Sequence, residues 1–259
     1  LKEIVTNRGH IIKTTSNHRL RSIDENGDYV WKFVGDFKVG DFVIEKNNTN
    51  HIFDNIDYQP LVQFEYDHHN IKYINLPKVI DENFSELLGY YMGDGYTKDR
   101  DIYLIFHQED KESLQFWREY FINEFGRDGT VETRDFSNID ILGFHSKQLI
   151  KLLEKNNLVK AKGNNGEGSA SAFVPKQILQ SPPSVMKSFI RGFFDAEGSV
   201  CMNKECFTIS CASVSEDIVR TLSIMLESFG IRTTIGKNKP GTLGKRDVFT
   251  LTLSSIEDA

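Results

Sequence analysis

No stretch of this chain approaches the roughly 18–20 consecutive apolar residues that a membrane-spanning helix requires, and residues 1–20 hold no continuous apolar core of the kind a secretion signal carries. The expected location is therefore intracellular, in cytoplasm or nucleoid, with no membrane partner. Cysteine is scarce. Cys201, Cys206 and Cys211 form an odd number crowded into one expected strand pair, with no CxxC spacing and no histidine pattern beside them, which points to reduced packing residues rather than disulfides or a zinc site. Excess positive charge is missing too. With 31 Lys and Arg against 37 Asp and Glu the net charge is −6, so any surface that meets a polyanion must be segregated from an acidic remainder. Aromatic residues are plentiful at 12%, and hydrophobic and charged fractions of 39% and 26% are those of an ordinary globular chain rather than a disordered one. At 259 residues, one large domain or two modest ones can bury a core.

The pattern changes near residue 45. Residues 1–45 read as short strands: IVTNRGHIIKTTSNHRLRSI alternates around Asn-Arg-Gly and Asn-His turns, and YVWKFVGDFKVGDFVIE places two Gly-Asp turns between β-rich runs. Residues 46–75, with EKNNTN, have little apolar periodicity and read as a connector. A helix is predicted over 81–92, capped by Asp81 and carrying Phe84, Leu87, Leu88 and Tyr91 at helical spacing. A strand (YLIFH), a helix over 111–125, a strand pair (GTVETRD and IDILGFH) and a short helix (KQLIKLLEKN) follow. The order then recurs: a helix over 186–196, the strand CFTISCA, a helix over 215–229, and the strands GIRTTIG and DVFTLTLSS. Two similar half-domains, about 76–160 and 176–259, imply an α+β fold with an approximate twofold axis inside one polypeptide, a monomer built like a dimer.

Each half opens with a helix that ends in an acid and a glycine: ELLGYYMGDGYT over 86–97 and FIRGFFDAEGSV over 189–200. Gly95 and Gly198 stand where a left-handed C-terminal cap is expected, so Asp94 and Glu197 close their helices. That end of a helix is partially negative, and an acid there costs about 0.3–1 kcal/mol. The same misplacement at both equivalent positions implies a compensating positive charge. Small residues one turn apart, Gly89 and Gly93 in one helix and Gly192 and Ala196 in the other, allow the two backbones to approach closely. If the helices pair through those faces, Asp94 and Glu197 meet at one end. Two carboxylates with an incomplete shell suit a hard divalent cation, Mg²⁺ or Mn²⁺. A lone Gly-Asp-Gly is ordinarily a turn and a lone Gly-xxx-Gly is common; here each has a counterpart in the second copy, Ala-Glu-Gly and Gly-xxx-Ala, in register.

LLGYYMGDG and IRGFFDAEG resemble the two signature helices of the LAGLIDADG homing endonucleases, and the repeats around them extend the resemblance over 76–259. The resemblance implies saddle-shaped sheets lying in the major groove of double-stranded DNA and an acid from each signature helix, Asp94 and Glu197, binding metal. The implied reaction is metal-dependent hydrolysis of one phosphodiester bond in each strand, a site-specific double-strand break. Met92 in one copy stands where Asp195 stands in the other, a difference read as packing and capping. By topology Lys147, just after the last strand of the first copy, is the candidate for a charged partner of the reacting water, with His107 a weaker one; a solvated helix-start lysine and a sheet-surface histidine are the plain alternatives. Intein-borne members of the family often carry a lysine three residues before the proline that precedes the second signature helix. Here, in SASAFVPKQI, that position is Ala172 before Pro175. Lys176, Lys160 or Lys162 are the substitutes within reach, and slow cleavage, or binding without cleavage as in a regulator or maturase-like protein, is the consequence.

The segment GIRTTIGKNKPGTLGKR carries Arg232, Lys237, Lys239, Lys245 and Arg246 without one acid, a charge pattern suited to groove and phosphate contacts, or to a merely solvated hairpin. The first copy offers Lys98, Arg100, His107 and Arg134, with Lys160 and Lys162 as further candidates, interleaved with acids. Nearer the start, Thr15-Ser-Asn-His18 followed by an expected strand over 39–43 resembles the Thr-x-x-His block of the Hint fold of inteins. That resemblance implies a histidine that polarises a scissile peptide and a threonine that orients it, a host protein around the element, and residues 1–45 as a partial Hint region. The chain as given opens with Leu1 and ends with Ala259, so it is not expected to splice; a splicing element with a vestigial endonuclease stays open as a third reading.

Overall fold

The computed structural model describes residues 1–45, 56–65, 73–161, 167–203, 206–240 and 246–253. Four short strands, β1 (Lys2–Val5), β2 (Ile11–Thr14), β3 (Arg19–Ile23) and β4 (Tyr29–Phe33), form two antiparallel pairs, β1 with β2 and β3 with β4. Val39–Val43, expected as a strand, is turn and irregular chain; it is held by side-chain and single backbone bonds, Ser22 Oγ to Phe42 O at 2.8 Å and Ile44 N to Arg21 O at 3.0 Å. Of the connector, the two-residue strands β5 (Gln59–Pro60) and β6 (Val79–Ile80) pair with each other, and Leu61 is buried in the main core.

The two repeats follow with matching topology. The first is α1 (Glu82–Asp94), β7 (Gly95–Lys98), β8 (Asp101–His107), α2 (Lys111–Phe125), β9 (Thr130–Arg134), β10 (Ile139–His145) and α3 (Lys147–Lys155), its sheet ordered β7-β8-β10-β9. Two short helices, α4 (Glu167–Ala170) and α5 (Lys176–Leu179), lead into the second: α6 (Pro183–Glu197), β11 (Gly198–Asn203), β12 (Cys206–Ser213), α7 (Glu216–Ser228), β13 (Thr233–Asn238) and β14 (Val248–Leu253), its sheet ordered β11-β12-β14-β13. Helix starts are fixed by side-chain caps: Asp81 accepts from Phe84 N at 2.9 Å, Ser146 from Leu149 N at 3.2 Å and Ser215 from Ile218 N at 3.4 Å, each contributing about 1 kcal/mol. α6 begins at Pro183, three residues before the expected start, because proline suits a first turn whose N–H groups have no helical acceptor.

Gly95 and Gly198 are not left-handed caps. Both are extended, at φ −114° and −77°, and each helix runs directly into the strand after it. The absent side chain is needed for space, since a Cβ at Gly95 would lie 2.6 Å from the Tyr91 Cα and one at Gly198 would press on Phe194 O.

α1 and α6 pack against each other at the centre of the molecule. A Cβ on Gly89 would strike Phe189 O and lie 2.9 Å from Phe193 N; one on Gly192 would strike Glu86 O and lie 3.0 Å from Tyr90 N. Glu86, Gly89 and Tyr90 occupy the same positions in the first repeat as Phe189, Gly192 and Phe193 in the second, so these are one contact seen twice through the internal twofold. On either side lie the buried faces of the halves: Phe106, Trp117, Phe121, Phe125 and Phe144 in the first, Ile218, Leu222, Met225 and Leu251 in the second, continuous with the helix pair. Among the described residues no helix is long and apolar enough to cross a membrane.

Candidate active site and nucleic-acid face

Because the helices cross through glycines, their C-terminal ends stay close. A Cβ on Gly93 would lie 2.6 Å from the Ala196 Cβ and 3.0 Å from Glu197 Cγ, which places Glu197 over the end of α1 beside Asp94. Both acids are half-buried. Among the described residues neither carboxylate accepts a hydrogen bond. Burial, opposed by Lys160, raises Asp94 above the usual carboxylate range. Burial first, and then the neighbouring Asp94, push Glu197 up to about 7.

The positive charge that answers them is Lys160. It follows α3 in an irregular segment, is 4% exposed, and is fixed from both ends: its backbone N–H donates to Tyr91 Oη at 3.0 Å, and its Nζ donates to Met92 O at 3.3 Å and Gly93 O at 3.2 Å. Those carbonyls belong to the last turn of α1, which has no internal donors for them, so the ammonium caps the helix while facing both acids. Burial lowers Lys160 to about 8 against the pull of Asp94 and Glu197. Ala172, where the intein-borne pattern has its lysine, is 2% exposed and its carbonyl accepts from Ser215 Oγ at 2.6 Å; the site's lysine comes instead from the segment before it. Lys176 is exposed on α5, and Lys162 lies outside the described residues. Lys147 opens α3 with its side chain exposed; the lysine that faces the acids is Lys160, not Lys147.

One cation between two acids leaves a carboxylate in surplus, and Glu197 accordingly holds a proton near neutrality. A hard divalent cation would take that proton's place with oxygen donors from Asp94 and Glu197, so the residues fit the metal expected of them. A second group able to offer ligands, His10, Glu45 and Glu227, lies on other elements.

Strand register assigns the basic residues to faces. In the first sheet Ile102, Leu104 and Phe106 point into the core, so Tyr96, Lys98, Asp101, Tyr103 and His107 share the open face with Thr130, Glu132, Arg134 and His145. Charge there is largely self-neutralised: Arg134 Nε donates to Glu132 at 2.7 Å, and His145 Nδ1 lies 2.9 Å from Asp101. Tyr96 and Tyr103 stack with centroids 4.8 Å apart. Arg100 is exposed at the β7–β8 turn and His107 at the strand end. In the second sheet Cys211 and Leu251 are buried, which puts Ser199, Cys201, Thr208, Ser210, Thr234, Thr250 and Thr252 on the open face. Lys237 pairs across from Phe249 and so sits on the helix side, its Nζ 2.9 Å from Asp247 and over the Phe249 ring; the expectation that it faces a groove fails because the strand alternates. Arg232 precedes β13, Lys239 and Arg246 are exposed near the tip of the β13–β14 hairpin, and Lys245 lies outside the described residues. Cys201 is exposed rather than packed, and Cys211 is buried as expected. Near the start, Thr15 and His18 are both exposed in a turn closed by His18 N to Thr15 O at 3.1 Å.

Sequence reading missed the ion pair across the helix crossing. Arg191 on α6 binds Glu86 on α1 with two bonds, Nε to Oε1 at 2.8 Å and Nη2 to Oε2. Glu86 is 7% exposed; a charged residue inside an apolar signature run was the signal for it.

A single chain folded into two matching α+β halves, joined through a glycine-lined helix pair with an acid at each helix end, is a pseudo-dimer with one composite site on its internal axis. Residues 184–259 of the chain match the family model of a LAGLIDADG-like domain. Among curated proteins it is similar to an A-type ATP synthase subunit of Pyrococcus abyssi, 28% identical over 238 residues that make up 90% of this chain and 22% of that one. Transcription initiation factor IIB of Methanocaldococcus jannaschii is 28% identical over 204 residues, 78% of this chain and 25% of that one. The chain thus spans about a quarter or less of the length of these relatives. Among solved structures it is similar to the homing endonuclease I-DmoI in complex with DNA and Mn, at a TM-score of 0.47 and 17% identity over 68% of this chain and 90% of that one.

Proposed function

We propose that this chain is an intein-associated homing endonuclease that makes a metal-dependent, site-specific double-strand break in DNA. The observation that carries the reading is the meeting of Asp94 and Glu197 with the buried Lys160 at the end of the α1–α6 pair. The two carboxylates would hold a divalent cation, which when bound supplies Lewis-acid polarisation of a phosphoryl oxygen and a more acidic water. Lys160 holds a proton at Nζ with an affinity close enough to neutrality to exchange it with a reacting water or a departing oxygen. The two open faces flank this site, one on each side of the internal axis, as a duplex with two half-sites requires.

The intein context draws support from the relatives. Proteins named as a transcription factor and as part of an ATP synthase share with this chain a segment covering most of it and a minor part of themselves. An element inserted into unrelated hosts produces that distribution. On this reading residues 1–45 belong to the splicing region, with Thr15 and His18 its remnants, and the host protein surrounds the element. A second reading, DNA binding without cleavage, is favoured by Ala172 at the position where the intein-borne pattern has its lysine.

The test is digestion of a plasmid library carrying randomised duplex sites, with Mg²⁺ and with EDTA. The parent is expected to cut slowly and only with metal, and Asp94→Asn to lose cutting by at least about a hundredfold while retaining binding. Equal cutting by Asp94→Asn would sink the assignment; binding without cutting by the parent would favour the second reading.

A further inference from the structure

In the second sheet β13 is an edge strand, paired among the described strands with β14 alone, and an edge carries outward-facing N–H and C=O groups that need partners. The turn between β1 and β2 supplies them. Ile235 N donates to Arg8 O at 2.8 Å. Two residues earlier, Thr233 O accepts not from a backbone amide but from Arg8 Nε at 3.0 Å, so the guanidinium stands in for the next N–H of a fifth strand. Approach this close requires glycine beside it: Gly9 has φ +83°, and a Cβ there would strike Ile235 O. Gly9 O in turn accepts from Arg220 Nη1 on α7 at 2.9 Å.

The rest of the guanidinium ties the strand to the helix behind it. Nη2 reaches Glu227 of α7 at 2.7 Å and Nη1 reaches Glu45 at 3.3 Å. His10, from the same turn, stands between the same two acids, its Nδ1 2.9 Å from Glu45 and its Nε2 3.1 Å from Glu227. A fork of fixed donors can hold three acceptors in one geometry, which a single ammonium cannot. Beside this clamp a cleft of about 980 Å³ runs between the 3–8 and 37–43 segments to Arg232 and Thr234, and Thr234 belongs to the open face.

We infer that Arg8 is a positioning residue for DNA recognition by the second half: it fixes the edge strand whose Thr234, Gly236 and Asn238 face the duplex. The inference rests on the DNA-binding reading above. It makes residues 1–10 a working part of the recognition surface instead of a neighbour of it.

The experiment is selection of binding sites for the full chain from a randomised duplex library of about 30 base pairs, comparing the parent with Arg8→Ala, Arg8→Lys and Glu45→Gln. Arg8→Ala is expected to lose base preference at least tenfold in one half of the selected site and to keep it in the other. Arg8→Lys should restore little, and Glu45→Gln should fall between. Loss in both halves alike, or in neither, overturns the inference. If the parent enriches no sequence, the DNA reading fails, and amide exchange then decides the clamp: Arg8→Ala, or Glu45→Gln should the former not fold, is expected to speed exchange at Ile235 at least tenfold relative to β12, and equal rates would overturn it.

Discussion

Glu197 is the residue on which the site's electrostatics turn. Its carboxyl binds a proton up to a pH of about 7 in the folded protein, against an ordinary value of 4.5, so between those values the folded state carries more protons than the unfolded one. Stability contributed by this group therefore declines as pH rises through that window, and above it the metal-free protein bears the full cost of a buried, poorly compensated charge. Lys160, lowered to about 8 from 10.5, acts in the opposite sense and regains stability only as pH rises beyond about 8. Glu197→Gln removes the acid's cost while preserving shape. Thermal unfolding in EDTA at about pH 8 should find the variant more stable by about 1–3 kcal/mol, with the difference gone at about pH 5; a variant less stable at both values would mean that Glu197 is satisfied by a partner. The acids themselves were legible from sequence, because a charge set against the helix dipole and repeated in register has few innocent explanations. Lys160 was one of several candidates, since its burial is decided by where an irregular segment crosses the end of α1, and no local pattern encodes that.

At the scale of elements, the α1–α6 crossing joins the halves. Glycine inside an exposed helix is ordinarily improved by alanine, by about 1 kcal/mol. At Gly192 the sign should reverse, because the added Cβ meets the Glu86 carbonyl oxygen on the opposite helix and the pair must part or bend. Urea titration of Gly192→Ala is expected to give a loss of about 1–3 kcal/mol; a gain would mean the helices do not cross where described. Helical spacing located α1, α2, α3 and α7 to within a few residues, as amphipathic periodicity does when a helix rests on a sheet. The short strands β7 and β11 escaped notice because each begins at the glycine that closes its helix, and an acid-glycine ending reads as a stop. The Arg191–Glu86 pair has no twofold mate: the matching positions are Leu88 and Phe189. With Glu86 buried and doubly bonded to an exposed Arg191, the pair favours pairing of unlike halves over self-pairing of either one.

Taken whole, the molecule has two open sheet faces of unequal charge, and composition could not distinguish them. A run such as GIRTTIGKNKPGTLGKR looks uniformly basic until the register sends Lys237 to the helix side and leaves hydroxyl-bearing residues on the open face. In the first sheet Arg134 faces outward but is held by Glu132, both side chains more than half exposed. Such a pair contributes little to stability, and its main effect is on binding, because each guanidinium that neutralises a phosphate releases a counterion and adds about 0.9 to the slope of log affinity against log salt. Glu132→Gln leaves Arg134 free for that role. Affinity of the full chain for a fixed duplex of about 30 base pairs, measured across a salt series, should show a slope steeper by about one and tighter binding at low salt. Lys237→Ala, which removes a cation from the opposite side of the second sheet, should leave the slope unchanged. A steeper dependence on Lys237 than on the Glu132–Arg134 pair would mean that the duplex lies against the helix-side edges, and the assignment of both open faces would fall with it.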